Sequence, residues 1–201
     1  MKEEFTHTVA VKLANRLNVN RNPTDIEFTK IVLGIEILLI NIPKIAAILC
    51  LAALLGILRE TLMVFGTFAL LRRYASGLHA KKSIVCTLMS VGMFVAVPLV
   101  TRTVGIGNHV VALVFAFSNV VFYKFAPADT EARPILGKRK RRSLKYKCLI
   151  ANNILFILAL LSSSENTKLL LSLGVVYGMI AIAPITYKLL GRSRNNYENF
   201  E

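Results

Sequence analysis

The chain has 201 residues, 55% of them hydrophobic, with a mean hydropathy of +0.58. A water-soluble domain of this size needs more polar residues to cover its surface, so the composition excludes that class and defines an integral membrane protein with at most about six or seven helical crossings. Its 25 Lys and Arg against 11 Asp and Glu leave a net charge of +14, which suits nucleic acid, anionic lipid, an acidic substrate or retained cytoplasmic loops until the charges are placed.

The first element is an amphipathic helix within residues 1–20. Phe5, Val9, Leu13 and Leu17 recur every four residues, with Ala10 and Ala14 beside them and Lys12 and Arg16 elsewhere. Too polar to span, it reads as a helix on the membrane surface or one packed on the protein's own segments. Residues 1–30 lack the apolar core of a signal peptide, so the N-terminus is expected to stay in the mature protein. A second helix is predicted over 25–42, ending before Pro43 and carrying Lys30 and Glu36. A carboxylate at membrane depth costs about 3 kcal/mol unless it is paired or faces water. Glu36 is therefore a candidate functional residue, or a structural partner for a buried Arg or a backbone donor.

Six apolar runs follow, at 44–58, 61–71, 84–101, 104–126, 148–162 and 169–190, the first two joined by a tight turn at Arg59–Glu60. With these six as crossings, 22 of the 25 basic residues fall on one side, and only Arg59, Arg102 and Lys168 on the other. That asymmetry places both termini in the cytoplasm and gives the cytoplasmic face nearly all the net charge. It also leaves 25–42 as an interfacial or re-entrant helix on the cytoplasmic side. The expected fold is thus all-α and polytopic: a single domain over 1–201 with an N-terminal surface helix, helix 25–42, a transmembrane bundle over 44–190 and a cytoplasmic tail over 191–201. Nucleic acid fits poorly, since the charge lies in juxtamembrane loops and at the two ends of the chain.

Three well-separated cysteines, Cys50, Cys86 and Cys148, with no C-x-x-C and no H-x-x-x-H, argue against a disulfide framework and a metal site, and no cofactor is implied. The unusual segment is LRRYASGLHAKKSIVC, residues 71–86. His79 and Cys86 are seven residues apart, about 10.5 Å along one helix, too far for a hydrogen bond unless the chain bends. Ser76-Gly77 supplies a break. If Ser83 caps the next helix, Cys86 sits in its first turn, where the helix dipole and a nearby His favour a thiolate. That is the arrangement a Cys–His nucleophile pair requires. The simpler reading is a packing Cys and a surface His, and Cys50, Cys148, His7 and His109 keep it.

RRYASGLHAKKSIVC resembles the signature of the accessory gene regulator B (AgrB) family, membrane-embedded cysteine peptidases that process quorum-sensing peptide precursors. FAPADTEARPI (125–135), followed by the run KRKRR (138–142), is similar to a second family segment, and LGIEILLIN (33–41) to a third. The resemblance implies a cytoplasmic-side endopeptidase of the bacterial cell membrane, acting as a homodimer on an AgrD-like propeptide to give a cyclic thiolactone. It makes Cys86 the nucleophile and His79 the base, with Glu36, Arg72 and Gly77 in support. Asp129, not a uniform family feature, is a separate candidate third member orienting His79. The propeptide's acidic tail would meet Lys138, Arg139, Lys140, Arg141 and Arg142, a run that also suits anionic lipid. The alternatives are a peptide transporter or exporter without proteolysis, and a non-catalytic membrane adaptor. The first lacks an evident inverted repeat.

Overall fold

The computed structural model describes residues 2–16, 26–78, 83–130 and 134–199, and it is all-helical, with no strand among them. The chain divides into two compact units, Met1–Leu51 and Ala52–Glu201.

In the N-terminal unit, α1 (Lys2–Arg16) lays Ala10 and Ala14 against Phe28 and Val32 of α2 (Ile26–Leu54). The buried stripe is therefore the small-residue one, which allows close approach of two helices, while Leu13 stays exposed. The expected break before Pro43 does not occur. α2 runs through it as one helix, so 25–42 and 44–58 are not separate elements. Proline removes one helical hydrogen bond, but ending an apolar helix there would strip several backbone groups of partners, and long apolar helices tolerate the proline instead.

The larger unit begins with the last turn of α2. The turn to α3 (Leu58–Ala75) falls at residues 55–57 rather than at Arg59–Glu60, which lie in the first turn of α3. α4 (Ser83–Val91) widens into a π-turn at Gly92–Ala96 and resumes as α5 (Val97–Val100). Pro98 explains the irregularity, because it has no N–H for the Phe94 carbonyl four residues back. Thr61 Oγ1 from α3 donates to that carbonyl at 2.7 Å. α6 (Asn108–Phe125), α7 (Lys138–Leu161), α8 (Glu165–Ile182) and α9 (Pro184–Leu189) complete the unit. The expected run 169–190 is thus two helices, divided where Pro184 starts α9. The basic run KRKRR is not a loop but the opening of α7. Lys and Arg are good helix formers, and nothing from 138 onward breaks the helix.

α3, α6, α7 and α8 pack around Leu71, Phe115, Phe122, Leu155, Val175, Met179 and Ile182, all of which are buried. α3 and α8 run parallel, and a Cβ on Gly174 would lie 2.5 Å from the Thr67 Cβ, so only the missing side chain permits their contact. α6 and α7 run antiparallel, tied by Ser118–Asn152 and Asn119–Asn153 hydrogen bonds and by Phe115 against Phe156. At one end of the bundle Asn166 Nδ2 donates to the Thr101, Arg102 and Val104 carbonyls, satisfying the turn before α6. The opposite end holds the candidate site. Among the described residues four helices are long and apolar enough to cross a membrane: Ile31–Leu54 within α2, α6, α7 and α8. Val85–Val100 forms a shorter apolar stretch.

Candidate active site

The segment leaving α3 is held from three directions. Ser76 and Gly77 both have positive φ, 57° and 113°. Gly77 N donates to the Ala128 carbonyl at 2.9 Å, Ala128 N donates to Ala75 at 2.9 Å, and Leu78 N donates to Ala181 at 3.1 Å. A Cβ on Gly77 would lie 2.7 Å from the Ala181 carbonyl oxygen and 3.2 Å from Ile182 Cγ2. Glycine is therefore needed twice here, for the left-handed backbone and for the approach of α8. Arg72, in the last turn of α3, reaches forward and donates through Nη2 to the carbonyls of Gly77, at 3.3 Å, and Leu78. Its guanidinium also stacks over Phe68. The Arg-x₄-Gly-Leu spacing of the sequence thus fixes the two residues immediately before His79.

His79 itself lies outside the described residues, as do Lys81 and Lys82. Only the backbone of Ser83 is described, as the first residue of α4. Cys86 is in the first turn of that helix, a half-buried free thiol whose carbonyl accepts from Ser90 Oγ at 2.8 Å. Cys50 and Cys148 are also free, the first exposed and the second buried. Among the described residues no group of three or more His, Cys, Asp or Glu could hold a metal ion.

Asp129 is 3% exposed and has a distinct task. Its Oδ1 accepts from Asn196 N at 3.2 Å and its Oδ2 from Tyr197 N at 3.0 Å, while its backbone carbonyl accepts from Tyr187 Oη at 2.8 Å. It therefore anchors the C-terminal 3₁₀ turn (Asn196–Asn199) and α9 beside the Gly77 cradle. Burial pushes the Tyr187 hydroxyl up to about 12, with Asp129 adding to the shift and Arg194 and Arg72 opposing it, so it remains a donor at neutral pH. Asp129→Asn leaves one amide N–H facing an NH₂ group. It should lower stability by about 1–3 kcal/mol, read as an earlier thermal transition in detergent.

Glu36 belongs to the N-terminal unit, where its Oε1 lies 2.5 Å from Nδ1 of His7 on α1. The sequence offers Glu36 as a functional residue or as a structural partner for an Arg or a backbone donor; the partner it has in the structure is His7. Lys138, Arg139 and Lys140 are exposed at the start of α7. Arg141 donates to the Ile135 carbonyl at 3.0 Å and stacks on Tyr197, and Arg142 lies over Tyr146. Ala181 and Tyr187, which border the cradle, carry no local sequence signal. Only the fold brings them to residues 72–78.

An all-helical chain with this many apolar helices has the composition of a polytopic membrane protein. The chain belongs to the accessory gene regulator B family, whose model matches residues 8–182. It is 37% identical over 199 residues to an AgrB-like protein of Clostridium acetobutylicum, covering 99% of this chain and 93% of the relative. It is 42% identical over 174 residues to an AgrB-like protein of Listeria monocytogenes serotype 4a, covering 87% and 85%. It is 34% identical over 179 residues to the accessory gene regulator protein B of Staphylococcus aureus, covering 88% and 93%. No solved structure matches. Family membership implies a part in processing the quorum-sensing peptide of the accessory gene regulator system.

Proposed function

We propose that the chain is a membrane-embedded cysteine endopeptidase that cuts an AgrD-like propeptide and closes the product into a thiolactone, with Cys86 as nucleophile and His79 as base. The observation that carries this reading is the pinned segment 72–78, which fixes the chain entering His79, while Cys86 occupies the first turn of the next helix. His79 removes the thiol proton, and the sulfur attacks the scissile carbonyl. The amine of the C-terminal fragment takes that proton and leaves, and Cys86 keeps the acyl group as a thioester. A cysteine thiol of the propeptide then attacks the thioester, transferring the acyl group to its own sulfur and returning a proton to Cys86. One thioester replaces another, so ring closure needs no ATP. Water must be kept from the acyl-enzyme, which a site at the edge of the bilayer favours.

In this reading α2, α3, α4–α5, α6, α7 and α8 make six crossings, with α1 on the cytoplasmic surface. The basic residues then put both termini and residues 72–86 on the cytoplasmic side. Exposed Lys138, Arg139 and Lys140 draw in the acidic tail of the propeptide. Replacing all three by Gln should lower kcat/KM severalfold at low salt and much less at high salt; an equal loss at both would exclude steering. Mass spectrometry of the peptide released by purified protein in lipid tests the reaction. A thiolactone is one water lighter than the linear acid, and an exporter without proteolysis would return the propeptide uncut.

A further inference from the structure

We infer that the seam between α6 and α7 binds one glycerophospholipid with an anionic headgroup, its phosphate among Lys124, Arg142, Lys145 and Arg194. This does not rest on the proposed reaction. A cleft of 510 Å³ opens where α6 ends and α7 begins, and five of its described lining residues are Lys or Arg while none is Asp or Glu. Rings hold the cations in place: Lys145 lies 5.3 Å from the Tyr123 ring centroid, Arg142 5.8 Å from Tyr146 and Arg194 4.8 Å from Phe125. Arg194 also donates through Nη2 to the Phe125 carbonyl at 3.0 Å; stacking leaves the cations further N–H donors for an anion, and an anion there offsets the repulsion among them. Tyr123 and Tyr146 are themselves exposed, as tyrosines at a bilayer interface are.

The same seam changes character with depth. About 6 Å from Tyr123 along α6, Asn119 pairs with the exposed Asn153 at 3.2 Å, an amide pair suited to the glycerol-ester layer. Beyond it an apolar groove of 680 Å³ includes Ala112, Leu113, Ala116, Phe156 and Leu160. Ala116 lies about 12 Å and Ala112 about 18 Å from Lys124 by helix rise, which brackets the half-thickness of a bilayer's hydrocarbon core, about 15 Å. Charge, amide and apolar groove follow one another down a single line. An acidic peptide would fill the cleft and leave the groove bare, so the occupant is an amphiphile.

The test is native mass spectrometry of the full chain in detergent with phosphatidylglycerol and phosphatidylcholine. We expect phosphatidylglycerol to be retained, favoured about tenfold or more. Arg142→Gln/Lys145→Gln should abolish the preference; these side chains stack on exposed tyrosines, so the fold should survive, checked by circular dichroism. Ala116→Phe, which fills the groove without touching charge, should weaken retention severalfold. Lys147→Gln/Lys188→Gln, which removes two exposed charges outside the cleft, should stay within about twofold of wild type. Equal retention of both lipids, or a preference that survives Arg142→Gln/Lys145→Gln, would overturn the inference. So would displacement by glycerol phosphate or a Glu-rich peptide with Ala116→Phe silent, which would mark the cleft as a phosphate or peptide site.

Discussion

Replacing Cys86 with Ala should abolish propeptide cleavage in purified, lipid-reconstituted protein, by at least about a thousandfold, with no change in folding. The thiol is half-buried in the first turn of α4, and losing it removes one sulfur atom from a site with no disulfide to break. His79→Ala should cost about a hundredfold to ten-thousandfold, the range of a general base. The companion substitutions Cys50→Ala and Cys148→Ala should leave cleavage near the wild-type rate, although the buried Cys148 costs some stability when truncated. Cleavage at the wild-type rate by Cys86→Ala would exclude the nucleophile. An equal loss in all three cysteine variants would point to packing instead of chemistry.

The second large effect is expected at Gly77. Alanine there puts a methyl group 2.7 Å from the Ala181 carbonyl oxygen on a backbone with φ of 113°. Either Leu78 gives up its hydrogen bond to Ala181 or the end of α8 moves. We expect a loss of about 2–4 kcal/mol of stability. We also expect a fall in cleavage of at least about a hundredfold, because displacing the segment into His79 by about 1 Å is enough to misalign a base. Gly66→Ala is the internal control. It lies within α3, the helix that leads into Gly77, with nothing within 4 Å of the added methyl, and should be neutral or stabilising by about 0.5–1 kcal/mol. If Gly77→Ala melts and cleaves like wild type, the cradle is not what positions the site.

The hydropathy and charge pattern made the all-helical, membrane-type chain legible, because apolar runs and basic flanks are local properties. Helix ends were less legible. Pro43 reads locally as a stop, yet the cost of exposing backbone within an apolar stretch outweighs it, and α2 continues. KRKRR reads as a loop because it is charged, yet its residues are good helix formers and open α7. At the candidate site, the Arg72, Gly77 and Cys86 positions stood out from one motif. Their reasons did not, because the Ala181 carbonyl that excludes a side chain at Gly77 is about a hundred residues away in sequence. Asp129 stood out in the sequence as a candidate to orient His79, while its backbone-amide partners Asn196 and Tyr197 depend on how the C-terminal segment folds back. The His7–Glu36 pair was hidden for the same reason, since its members sit on different helices.

The central claim is an acyl-enzyme on Cys86. The most direct measurement is the intact mass of the purified protein after brief exposure to propeptide whose internal cysteine is replaced by alanine, so that ring closure cannot discharge the thioester. A mass increase equal to the N-terminal fragment, mapped to Cys86 and removed by hydroxylamine, is the result the account predicts. Cleavage of that propeptide with no adduct, or an adduct on another residue, would contradict it.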